Sequence, residues 1–276
     1  MLGLIKFIVI IGMSLIPMAA IAQDMEDTDS LMTESDSSMH DMAMEVTAGS
    51  MSETEGDSLH AAFDTDGALK AYLKANEEDP DNTTYIWKIV REYVDKGVFA
   101  DGDDEIKANY KEAEEWARKC VALAPEDGYC HLYLAIAVGR VALFEGGKTK
   151  VNLSKEVKEE AARSIELNPN LDGAYHVLAR WNREVIALPW YLKAAVKIIY
   201  GGLPPASNED AVKNFKIAME LRPDRMLHYF ELGVTYKYMD DKENARINFE
   251  KTISMDLVER EDEGRQEEAK EFLSKL

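Results

Sequence analysis

Apolar positions along the 276-residue chain fall into two patterns, with an acidic stretch free of aromatic residues between them. Residues 7–15 form a continuous apolar run behind Lys6, the single charged side chain among residues 1–22. From about residue 61 onward, apolar residues recur at three- and four-residue intervals, the spacing that gathers them on one face of a helix. Residues 23–60 carry eleven acids and no Lys, Arg or aromatic residue. The pattern predicts an all-α domain over 61–276, preceded by a polar segment.

Internal repetition sharpens this picture. Pro80, Pro125, Pro169 and Pro223 each follow a similar apolar helix, at spacings of 45, 44 and 54 residues. In a tetratricopeptide repeat of about 34 residues a proline closes the second helix, so each proline sets a register. After Pro223 the signature positions fill in order with Tyr229, Leu232, Gly233, Tyr236, Ala245 and Phe249. Gly233 and Ala245 let two antiparallel helices approach, and the aromatics fill the space around that contact. Counting back from the other prolines gives Ala211, Phe215 and Ala218; Ala113, Ala117 and Cys120; and Ala68, Tyr72 and Ala75. Tyr175, Leu178 and Ala179 open the first helix after Pro169. The predicted fold is a tetratricopeptide-type solenoid. Residues 261–276 form a capping helix with Ala269, Phe272, Leu273 and Leu276 on one side.

The proline spacings exceed the repeat unit by about 11, 10 and 20 residues, which predicts insertions between first and second helices, crowding one rim. The longest contains His176-Val177-Leu178-Ala179-Arg180-Trp181, then Pro189-Trp190-Tyr191, then Pro204-Pro205. These motifs resemble the regulator of microtubule dynamics family, in which an H-L-x-G-R-W-like helix, a P-W turn and an extra helix ending in P-P interrupt a repeat. Val177 and Ala179 depart mildly from that pattern. The resemblance spans roughly residues 64–257 and implies a helical repeat domain without catalytic residues, so no enzyme and no cofactor are expected.

The apolar run, Pro17 and Ala20-Ile21-Ala22 together read as a secretory signal peptide cleaved after Ala22. The mature protein is then exported, with a periplasmic destination, where the microtubules of the family name are not met. Residues 23–60 lack the apolar area needed to offset chain entropy and read as a disordered linker. Within them, Met39, His40, Met42 and Met44 juxtapose thioether and imidazole groups, a weak candidate for copper.

Net charge changes the view of partners. The chain has 52 Asp+Glu against 32 Lys+Arg, a formal charge of -20, which argues against nucleic acid. Removing residues 1–60 leaves 41 acids and 31 bases, so half the imbalance lies outside the domain and a local basic patch is allowed. Two uses of the domain follow. It is either a scaffold binding a protein or peptide through its concave face or insertion rim, or a lipid-associated module centred on the helix at 190–200. Candidate partner-binding residues are His176, Arg180, Trp181, Trp190, Tyr191, Lys193 and Lys197. On that helix Lys193 and Lys197 lie one turn apart beside aromatics and Ile, which suits a lipid interface, or else its apolar face packs inside the solenoid. Gly146-Gly147-Lys148-Thr149 lacks the preceding strand of a phosphate loop. His131, His176 and His228 occupy similar places in successive repeats. Cys120 and Cys130 flank Pro125 symmetrically, as a disulfide in an exported protein or as buried thiols.

Overall fold

The computed structural model describes residues 48–276; the expected signal peptide, residues 23–47 of the expected linker and the copper candidates Met39, His40, Met42 and Met44 lie outside them. Twelve α-helices and no strand occur among the described residues. They are α1 (Ala48–Ala61), α2 (Thr65–Glu78), α3 (Thr83–Phe99), α4 (Asp103–Leu123), α5 (Gly128–Val141), α6 (Gly147–Leu167), α7 (Asp172–Ala187), α8 (Trp190–Tyr200), α9 (Asn208–Leu221), α10 (Met226–Tyr238), α11 (Lys242–Ser254) and α12 (Asp262–Leu273). Short side chains start several of them: Asp64, Asn82, Asp127, Ser207 and Asp241 each accept an amide hydrogen bond from the first turn. Each of the four register-setting prolines follows directly on a helix C-cap, where a residue unable to continue the helix is at home.

The helices pair α1 with α2, α3 with α4, α5 with α6, α7 with α9 and α10 with α11. First helices α3, α5, α7 and α10 also touch in succession, forming the inner layer of the array. The alanines of the repeat register meet no solvent at all: Ala68, Ala113, Ala117, Ala211, Ala218 and Ala245 are fully buried, with Tyr72, Phe215 and Phe249 beside them. Gly233 is obligatory, because a Cβ there would lie 2.7 Å from the Phe249 ring. Helix α12 closes the end, its Phe272 meeting Phe249 at 5.3 Å and Phe230 at 6.2 Å between ring centroids. Leaving that face in water would expose about 1.5–3 kcal/mol of burial per large apolar side chain.

Two expectations need correction. The disordered linker does not extend to residue 60, since α1 occupies the end of it. This helix is held by charge rather than apolar area. Glu53, Asp57 and His60 share one face, where Lys88 Nζ meets Glu53 at 2.8 Å and Asp57 at 2.7 Å, and His60 meets Glu92 at 2.9 Å. The Tyr72 hydroxyl donates to Asp57 at 2.6 Å, and its ring passes so close to Gly56 that a Cβ there would sit 2.5 Å away. The shorter insertions, too, are mostly not loops. Helices α4 and α6 have 21 residues each against 14 for α2 and α9, so the extra sequence adds about two helical turns.

Candidate functional site

Those extra turns, together with α8, build a cavity. The first halves of α4 and α6, the ends of α5 and α7, and the underside of α8 enclose about 770 Å³. Its walls are mainly apolar, including Ile106, Ile136, Val151, Val157 and Val177. Three cations, Lys150, Arg140 and Arg180, and two acids, Asp103 and Glu184, also line it. Burial pushes Lys150 and Arg140 toward the uncharged form. Arg140 Nη2 has no hydrogen-bond partner among the described residues, and Arg180 Nε lies 3.5 Å from Glu231 without forming one. Desolvated cations beside apolar walls are complementary to an anionic group carried on an apolar body.

Helix α8 is the lid. It buries Leu192 and Val196 toward the cavity and leaves Trp190 80%, Ile198 84%, Ile199 64% and Tyr191 52% exposed. It is fastened mostly by lysines donating to carbonyls: Lys193 to Ile186, Lys155 to Tyr200 and Lys158 to Pro205. Its apolar residues therefore divide between cavity and solvent, and packing inside the solenoid accounts for one face alone.

The inner layer carries a second, different constellation. Arg183 is paired with the fully buried Glu231, which Arg180 also faces. Arg225 bonds Asp172 at 2.9 Å and Glu259 at 2.8 Å, and Arg265 bonds Glu259 at 2.7 Å. Glu259 and Glu261 belong to the segment between α11 and α12, which lies against the inner helices: Arg260 stacks on the Phe99 ring at 3.7 Å, and Glu261 acts on the charges of Asp95 and Arg140. Burial pushes the Glu261 carboxyl up to about 7 although Arg265 pulls it down. Residues 259–261 thus lie against part of the inner layer, the face expected to hold a peptide.

The predicted partner-binding set splits accordingly. Trp190, Tyr191, Lys193 and Lys197 are exposed on α8. His176, Arg180 and Trp181 are buried, Arg180 and Trp181 along the cavity wall. Trp181 donates to the Ser154 carbonyl at 2.7 Å, and His176 Nδ1 faces His228 Nδ1 at 2.9 Å, with His228 Nε2 on Asp172 at 2.8 Å. Burial lowers the pKa of both histidines. His131 stays apart from that pair, on Glu160 and the Pro125 carbonyl. Cys120 and Cys130 are joined in a disulfide between α4 and α5, with Cα atoms 5.2 Å apart. Sequence reasoning missed Arg140 and Lys150; a lone Arg ending the apolar run of α5 was the available signal.

The family model described as Regulator of microtubule dynamics protein 1-3 matches residues 53–276. The chain belongs to this family. Regulator of microtubule dynamics protein 2 of Bos taurus is 26% identical over 201 residues, covering 72% of this chain and 49% of the relative. Regulator of microtubule dynamics protein 1 of Mus musculus is 24% identical over 224 residues, 80% of this chain and 73% of the relative. The chain thus spans about half the length of the protein 2 relatives it matches. A solved tetratricopeptide-repeat protein of Thermus thermophilus superposes with a TM-score of 0.60 at 15% identity, covering 80% of this chain and 98% of that one. The family's helical-repeat scaffold is therefore present.

Proposed function

We propose that this chain is a non-catalytic, exported binding module that takes an amphiphile, an apolar body with an anionic head, into the cavity beneath α8. One observation carries the reading: a cavity of about 770 Å³ with mainly apolar walls is lined by three cations, two of which lack full pairing among the described residues. Helix α8 opens and closes over it, and Trp190, Tyr191, Ile198 and Ile199 dip into a lipid surface during exchange. Export is supported by the leader-like pattern at 1–22 and by the Cys120–Cys130 disulfide, a linkage favoured in oxidising compartments. The microtubule association in the relatives' names is not carried over to a protein in that setting. A second reading, supported by the repeat scaffold and the same exposed aromatics, has a protein or peptide partner docking on the outer face of α8.

Gly139 supplies the test. It lines the cavity, and a Cβ added there meets only Val157, at 3.6 Å, so a larger side chain projects into open space. Gly139→Leu is expected to abolish binding of a fluorescent long-chain fatty acid while the protein stays folded. Lys150→Glu is expected to weaken the same probe at least about tenfold, one decade being worth 1.4 kcal/mol. Unchanged affinity in both variants removes the cavity reading and leaves the protein-docking one.

A further inference from the structure

The α1–α3 junction holds a cluster that the cavity reading does not use. A ring nitrogen of His60 and one carboxylate oxygen each from Glu92 and Asp95 all lie within 4.8 Å of one another. Glu92 and Asp95 sit one turn apart on α3, so both side chains leave the same helix face, and His60 comes from the last turn of α1. Glu92 is fully buried and Asp95 is 4% exposed.

The hydrogen bonding leaves the cluster incomplete. Glu92 Oε1 accepts from Arg91 Nε at 2.8 Å and lies 2.9 Å from His60 Nδ1. Glu92 Oε2 and Asp95 Oδ1 have no hydrogen-bond partner among the described residues. Two buried carboxylate oxygens without donors are costly to maintain, and no Lys or Arg among the described residues is bonded to either one. Glu261, whose side-chain oxygens accept no hydrogen bond among the described residues although Arg265 lies 3.5 Å away, is a further carboxyl group acting on Asp95. Arg91 meanwhile fixes one oxygen of Glu92 and leaves the other free, the arrangement of an outer-sphere group that orients a metal ligand.

We propose that His60, Glu92 and Asp95 form a divalent transition-metal site of the zinc class. One imidazole and two carboxylates match the donor preference of Zn²⁺, whose bonds to N and O run about 2.0–2.2 Å, with water completing four-coordination. Bringing the three donors onto one ion asks for small side-chain adjustments, and His60 is free to make them at a helix end. The ion clamps α1 to the inner layer.

The test uses the full chain stripped with EDTA and titrated calorimetrically with ZnCl₂, and by visible absorption with Co²⁺. One saturable equivalent is expected, weakened at least about tenfold by His60→Ala and by Asp95→Asn. His40→Ala, which alters the Met/His run instead, is expected to leave that equivalent intact. Because His60 is partly exposed, its alanine variant folds even if the Asp95 variant does not. No saturable Zn²⁺ binding overturns the site. So does binding lost only in His40→Ala, or binding as tight in His60→Ala as in the parent.

Discussion

Arg180 stands at the boundary between two regions built on opposite principles. On one side is the cavity, where Lys150 and Arg140 face mainly apolar walls and neither is bonded to a carboxylate among the described residues. On the other is the inner groove, where Arg183, Arg225 and Arg265 are each bonded to buried carboxylates such as Glu231, Asp172 and Glu259. Both regions bury cations. In the groove each of these arginines has a carboxylate of the chain within ion-pair distance, so the groove is read as architecture; in the cavity Lys150 and Arg140 have none among the described residues, which is what the proposed anionic ligand would supply. Buried charge alone does not mark a binding site, and internal pairing is the discriminating feature.

The sharpest way to break this contrast is to unpair the groove. Glu231→Ala removes the fully buried carboxylate of Arg183, which keeps only the less buried Glu184 at 3.0 Å, and removes the partner that Arg180 faces. Loss of one member of a buried pair typically costs about 3–5 kcal/mol. A fall of that size in unfolding free energy, read from the urea midpoint, is expected. Lys150→Glu should change it by no more than about 0.5 kcal/mol. Comparable losses from the two substitutions would mean that the cavity cation is structural as well.

Acid titration probes the groove more gently. Burial holds His176 and His228 below the usual imidazole range, so the native state binds fewer protons than the unfolded chain near and below pH 6.5. Their contribution to stability is therefore complete above pH 6.5 and falls as pH drops beneath it. Each histidine costs at most about 1.4 kcal/mol per pH unit in that window. His176→Phe keeps an aromatic against Phe215, whose centroid lies 5.2 Å from the imidazole. It should make the change in melting temperature from pH 6.5 to 5.5 less negative than in the parent, on top of the opposite contribution of Glu261, whose raised carboxyl favours the fold as pH falls through about 7. An equally steep decline in the variant would assign the acid sensitivity to other groups.

How much of this was legible in the sequence depends on how each feature is encoded. The repeat register was, because Ala113, Ala117, Ala245 and Phe249 report a local packing geometry that recurs at a fixed offset from a proline. Helix α1 was not: apolar counting assigns Glu53, Asp57 and His60 to a solvated tether, whereas their spacing of four and three places them on one face opposite Lys88 and Glu92. Trp181 and His176 were recognisable as a motif, yet their burial depends on Ser154 and His228, which sequence spacing cannot bring near. The cavity was hidden for the same reason, since its walls come from six helices and its volume from insertions that became extra helical turns.

Helix α8 allows the contrast to be drawn within eleven residues, because its two faces are expected to fail differently. Leu192 is buried against the cavity, so Leu192→Ala should loosen the lid at a cost near the lower end of core truncations, about 2 kcal/mol, and raise amide exchange across 190–200. Trp190 is 80% exposed, and Trp190→Ser should leave the melting temperature within the small range typical of surface changes, about 0.5 kcal/mol. If the outer face meets lipid, the same substitution weakens co-sedimentation with anionic vesicles about fivefold, since the indole is the most interface-seeking group on it. Trp190→Ser that leaves vesicle association intact while abolishing capture of a protein partner would transfer that face to the docking reading. The proposed cavity ligand is separable from either outcome, because Leu192 and Val196, not Trp190, line the cavity.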